Sequence, residues 1–151
     1  KITIGRCKSI SIENSTNYTY MHSTVKDNLA KLAVITSISS PEYNEKIKLF
    51  GKQLAMHVAA TNPLAINSEN INTDLLDKEK QLISEELKKS GKNDDIVLKI
   101  SEGKLKKFKE ENSLMTQQWV MDPKKKVKDI ISGEIKSDLV INDFFRLKIG
   151  E

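Results

Sequence analysis

Cysteine is nearly missing from this sequence: Cys7 stands alone among 151 residues. An intrachain disulfide is therefore excluded, and so is a zinc site built on cysteine pairs. One thiol also fits a reducing cytoplasm. Long apolar runs are missing too, and nothing approaches the roughly 18 apolar residues a membrane-spanning helix needs. No charged-then-apolar leader is visible in the residues from Lys1 onward. The 6 glycines never fall into the spacing of a dinucleotide or phosphate loop. The 2 histidines do not form a His-x-x-x-His pair. Arginine is scarce, and the abundance of Lys, Ile and Asn reads as the codon bias of an AT-rich genome.

Charge is plentiful but balanced, with 25 basic and 21 acidic side chains. At 38% hydrophobic residues the chain can build a core, as one domain or as two small lobes. Residues 73–112 hold 10 lysines and 10 acids, so the positive excess lies outside them. A nucleic-acid binder usually concentrates its charge on one stripe and uses arginine forks. Only Lys124-Lys125-Lys126 stands out, and it reads as a solvated turn.

Apolar spacing gives the elements. Ile2, Ile4, Ile10 and Ile12 share strand parity. A polar turn at Glu13–Thr16 follows, then a strand with Tyr18, Tyr20 and His22 on one face. Ser23 to Asn28 reads as a loop, and Leu32–Ile35 as a central strand. Ser39-Ser40-Pro41-Glu42 marks a helix start, and Tyr43, Ile47, Phe50, Leu54 and Val58 form its apolar face up to Pro63. Asn72 or Thr73 caps a second helix with the stripe Leu75, Leu76, Leu82, Ile83 and Leu87, closed by Ser90-Gly91. Asn93-Asp94-Asp95 opens a third, with Ile96, Val97, Ile100, Leu105 and Phe108. Two such helices joined by a few polar residues must run antiparallel, as an exposed hairpin projecting from a body. Asp122-Pro123 signals a turn, and Val127, Ile130 and Ile131 mark a short helix closed by Gly133. Phe145, Leu147 and Ile149 alternate in a last strand. The predicted class is α+β: a small antiparallel sheet covered by helices. Its core is residues 1–72 and 113–151, and residues 73–112 form an inserted coiled-coil hairpin.

Chemistry is hard to find in these residues. The carboxylates sit on solvated helix faces, so no catalytic pair, metal site or cofactor is expected. His57, beside the apolar face of its helix, reads as a packed histidine donating to a backbone carbonyl. Met56 reads as core. Met121 reads as folding back into the core rather than standing as an exposed apolar tip. His22 ends a strand, and the residues alone leave it open between a partner contact and bland surface.

Several stretches together resemble translation elongation factor Ts, the guanine-nucleotide exchange factor of elongation factor Tu. The most specific is Leu54-Ala55-Met56-His57-Val58-Ala59-Ala60 followed by Pro63, similar to the family's Ala-Met-His-Val-Ala-Ala helix end. Glu102-Gly103-Lys104-Leu105-Lys106-Lys107-Phe108, Gln118-Trp119-Val120-Met121-Asp122-Pro123 and Phe144-Phe145-Arg146-Leu147-Lys148-Ile149-Gly150-Glu151 follow in family order. Tyr20-Met21-His22 resembles a family Tyr-x-His that precedes a glycine, but here Ser23 takes the glycine's place. These stretches match the family's C-terminal core subdomain with its coiled coil. Its N-terminal ubiquitin-associated helices and its Thr-Asp-Phe-Val motif have no counterpart.

The resemblance implies a non-covalent exchange factor, not an enzyme, with Tu as partner and His22, Val120 and Met121 in contact with it. It implies docking on Tu rather than a wedge at the nucleotide site, with no cofactor, no direct nucleotide binding, no membrane and no specific nucleic acid. Some family members dimerise through this region, which leaves a homodimer open. The implied compartment is the bacterial cytoplasm, or the matrix of an organelle of an AT-rich lineage. The competing expectation is a basic RNA-binding module associated with translation.

Overall fold

A computed structural model describes residues 4–89, 91 and 93–151. It is an α+β protein whose chain divides into two compact units, Lys1–Asn62 with Trp119–Glu151, and Pro63–Gln118. The second unit is wider at both ends than the hairpin of residues 73–112 expected from the sequence.

The first unit is built on a three-stranded antiparallel sheet. Strand β1 (Thr16–Lys26) pairs with β2 (Leu29–Ser39), which pairs in turn with β5 (Val140–Lys148), so β2 is central. Its apolar run Leu32–Ile35 suits that place. The polar stretch Ser23–Lys26, expected as a loop, continues β1 instead. A two-residue turn at Asp27-Asn28 closes the hairpin, with Asn28 in the left-handed region at φ 59°. A hairpin end pairs locally and faces solvent, so it tolerates polar residues. The expected first strand fails among the described residues: residues 4–12 form no ladder. Arg6 lies over the Phe145 ring and Lys8 pairs with Asp143 at 3.1 Å, so this segment is tied by side chains.

Helix α1 (Glu45–Thr61) covers the sheet face that carries Tyr18 and Val34. It does not start at Ser39, which ends β2, but at Asn44, whose side chain accepts the Ile47 N–H. Ile47, Phe50, Leu54 and Val58 are buried, each stabilising by about 2 kcal/mol. Tyr43, expected on this face, is exposed. Gly51 is where α1 and β1 come closest: a Cβ there would stand 2.4 Å from the Tyr18 ring. Burial under the helix pushes the Tyr18 hydroxyl pKa up. Asn62 ends the helix at φ 46°, one residue before Pro63.

Lys124–Lys126 lie in a strand, β4 (Asp122–Lys126), which pairs with β3 (Gln118–Trp119). They are not a turn, and Lys125 is held by Glu134 at 2.6 Å. The short helix α4 (Val127–Ile130) runs on through a wider turn, Ile131–Ile135, and closes at Lys136 in the left-handed region rather than at Gly133.

In the second unit, helices α2 (Thr73–Lys89) and α3 (Asp94–Asn112) run antiparallel. Asn72 and Asn93 accept the N–H groups of Asp74 and Asp95, so of the two expected caps of α2, Asn72 and Thr73, Asn72 serves, and Asn93 caps α3 as expected. Gly91 sits in the link at φ 69°, while Ser90 lies outside the described residues. Ile83, Leu87 and Val97 make the seam, with Ile100 and Leu105 packed against it. Glu86 and Lys104 bridge the helices at 2.8 Å. Leu75, Leu82 and Ile96, expected in the stripes, are exposed.

Candidate functional site

The first unit carries an open, mostly apolar groove of about 350 Å³ lined by Tyr20, His22, Leu32, Met56, Ala59, Ala60, Val120 and Met121. Four elements make it, with Leu32 supplied by β2. On β1, Tyr20 and His22 stand on the same face as Tyr18, and His22 lies across the ladder from Leu32. On α1, Met56, Ala59 and Ala60 follow the i, i+3, i+4 spacing of one helical face, turned away from the Leu54 stripe. The third wall is the turn Val120–Met121 between β3 and β4.

The structure therefore brings His22, Val120 and Met121 together, although His22 and Val120 stand 98 positions apart in the sequence. His22 is exposed, and its Nδ1 lies 3.2 Å from the Tyr20 hydroxyl, which orients the ring. Val120 and Met121 are each 42% exposed. Met121 is thus an apolar tip in the open, not folded back. The turn falls on these two residues rather than on Asp122-Pro123. Met56 is also a groove residue, 38% exposed, and not core.

Ring stacking and part-buried hydrogen bonds hold the walls. Trp119 stacks on Phe50 at 5.6 Å and on His57 at 5.1 Å, two residues one heptad apart on α1. The fully buried His57 accepts the Val120 N–H at Nδ1, 3.3 Å away. On the other side Arg146 donates from Nε to the Ala59 carbonyl, in the last turn of α1. The same guanidinium meets Glu151 at 2.6 Å. Hydrogen bonds from Lys148 and Arg146 hold the Glu151 carboxyl below its ordinary pKa. Ser23, directly after His22, takes φ 54°, a conformation natural to glycine.

Sequence reasoning missed Tyr20, Leu32, Met56, Ala59 and Ala60 as groove residues. The signal for three of them was available: Met56, Ala59 and Ala60 fall off the Ile47–Val58 stripe yet are small or apolar. Among the described residues, no group of three or more His, Cys, Asp or Glu could hold a metal ion, and no helix is long and apolar enough to cross a membrane.

An open apolar trough with a single histidine at its rim has the make-up of a protein-docking surface. The family relationship is direct: the chain belongs to the elongation factor Ts family, whose model, described as "Elongation factor TS", matches residues 1–151. It is 37% identical over 153 residues to an elongation factor Ts of Bartonella tribocorum, which covers 99% of this chain and 50% of that protein. It is 35% identical to that of Brucella ovis over the same shares, and 32% to that of Erythrobacter litoralis, over 98% and 49%. The chain thus spans about half the length of the curated relatives it matches.

Proposed function

We propose that this chain is the docking part of a guanine-nucleotide exchange factor, and that it grips elongation factor Tu through the groove of His22, Val120 and Met121. The observation that carries the reading is the meeting of these three residues, from distant parts of the chain, in one exposed apolar trough. Membership of the elongation factor Ts family supplies the partner. The compartment is the bacterial cytoplasm.

Exchange needs contacts that are stronger with the empty partner than with the loaded one, and equal affinity for both shifts nothing. In the family the contact near the nucleotide's magnesium belongs to a Thr-Asp-Phe-Val segment. The one Asp-Phe pair here, Asp143-Phe144, lies within β5. This chain therefore supplies affinity with little discrimination between nucleotide states. Release of a fluorescent GDP analogue from Tu tests it. The chain alone should accelerate release poorly, and in excess it should slow exchange by a full-length factor. Release by the chain alone at the full-length rate would overturn the reading.

His22→Ala should weaken Tu binding by about 1–3 kcal/mol, the range of an interface anchor, with the melting point unchanged. Loss of melting point at constant affinity per folded molecule would make His22 a stability residue instead. Raising salt should weaken binding to Tu mildly. A steep log–log salt dependence toward RNA would favour a nucleic-acid module.

A further inference from the structure

We propose that His57 is a positioning residue for partner docking: its Nδ1 holds the Val120-Met121 tip in the shape the partner meets. This rests on the docking reading above and extends it to a residue that no partner touches.

The tip needs holding. Its two turn residues are Val and Met, neither of which favours a turn, and no Gly, Asn or Pro stands in their place. Both side chains are 42% exposed and line the open groove, so their own packing supports the turn only in part. What anchors it is behind it. Trp119 is 3% exposed and stacks on Phe50 and His57, which locks the residue preceding the tip. The next N–H along the chain, that of Val120, is received by His57 Nδ1 at 3.3 Å.

That contact dictates the ring's form. A nitrogen that accepts carries no hydrogen, so His57 is the neutral tautomer with its proton on Nε2. Among what the imidazole does, two duties are separable: its face packs on Trp119, and its Nδ1 orients the Val120 peptide. A purely structural histidine would need only the first.

Two substitutions part these duties. His57→Phe keeps a ring against Trp119 and removes the acceptor. His57→Asn loses the ring but places its side-chain oxygen near the position of Nδ1. The measurements are thermal unfolding, affinity for nucleotide-free Tu per folded molecule, and hydrogen exchange of the Val120 amide. His57→Phe should melt less far below the wild type than His57→Asn, expose the Val120 amide to exchange and bind about tenfold more weakly per folded molecule. His57→Asn should melt lower yet recover most of the lost affinity. Affinity would then follow the acceptor and stability the ring.

Wild-type affinity in His57→Phe overturns the proposal, as does a failure of His57→Asn to bind better than His57→Phe. Should both variants unfold, the wild-type protein decides: a Val120 amide exchanging at the rate of a free peptide removes the hydrogen bond and the proposal with it. If the wild-type chain does not bind Tu at all, the docking reading fails first and this one falls with it. That outcome is distinct from a wild type that binds while His57→Phe binds equally well.

Discussion

Helices α1 and α2 are both 17 residues long, and an asparagine starts each, yet they are held in opposite ways. α1 hides Ile47, Phe50, Gly51, Leu54, Ala55, His57 and Val58, whereas α2 hides Ile83 and Leu87. Burial holds α1. Residue propensity, a cap, a narrow seam of Ile83 and Leu87 and the Glu86–Lys104 pair hold α2, whose sequence is largely Leu, Lys and Glu. Caps and periods locate a helix, then, but the width of its apolar stripe decides how much the fold depends on it.

The sharpest way to break this contrast is a matched pair of truncations. Leu54→Ala should cost about 2–5 kcal/mol, as fully buried leucines do. Leu82→Ala, at a site 61% exposed on α2, should stay within about 0.5 kcal/mol. Denaturant midpoints measure both, and similar losses at the two sites would erase the distinction. Next in size is Gly51→Ala. Its methyl group would intrude on the Tyr18 ring, at an expected cost of about 1–3 kcal/mol, although alanine is the better helix former. A gain in stability there would show that the helix and strand are less tightly apposed.

The smallest effect is electrostatic and belongs to α2 and α3. The hydrogen bond from Lys104, together with its charge, holds the Glu86 carboxyl below its ordinary value of 4.5. A carboxyl with a depressed folded pKa adds stability above its unfolded pKa, and that part is lost as pH falls through the folded value. The protection factors of α2 amides, with the intrinsic slowing of exchange in acid divided out, should therefore fall slightly below about pH 4.5, and Glu86→Gln should remove that step. An unchanged acid profile in the variant would assign the step to other carboxyls.

The helices and the central strand were readable because each announces itself locally. The caps Asn72 and Asn93 and the stripe from Ile47 to Val58 need no knowledge of partners. What was misread depended on pairing. Ile4, Ile10 and Ile12 keep strand parity, but a ladder requires a neighbouring edge, and residues 4–12 have none. Thr24 and Lys26 look like loop residues, yet the hairpin supplies Ala30 and Leu29 as partners. Ser39-Ser40-Pro41 mimics a helix start, but Ser39 is taken by β2. At the groove, motif resemblance supplied His22, Val120 and Met121, while the residues alone left His22 undecided. The Val120-Met121 turn defied composition, since its shape comes from Trp119 and His57 behind it.

The scarcity of glycine has a consequence for the unfolded chain. Among the described residues, Asn14, Ser23, Asn28, Asn62 and Lys136 take positive φ, against Gly91 and Gly150 alone among glycines. A chain that turns on asparagine has fewer conformations to surrender than one that turns on glycine, so less entropy is lost when it orders. Asparagine also offsets the left-handed strain with its own short-range hydrogen bonding, which lysine lacks and serine supplies only weakly. At Asn14, Asn28 and Asn62 the molecule therefore gains from a narrower denatured ensemble at modest strain. At Ser23, beside the groove histidine, it carries the strain with less of that relief.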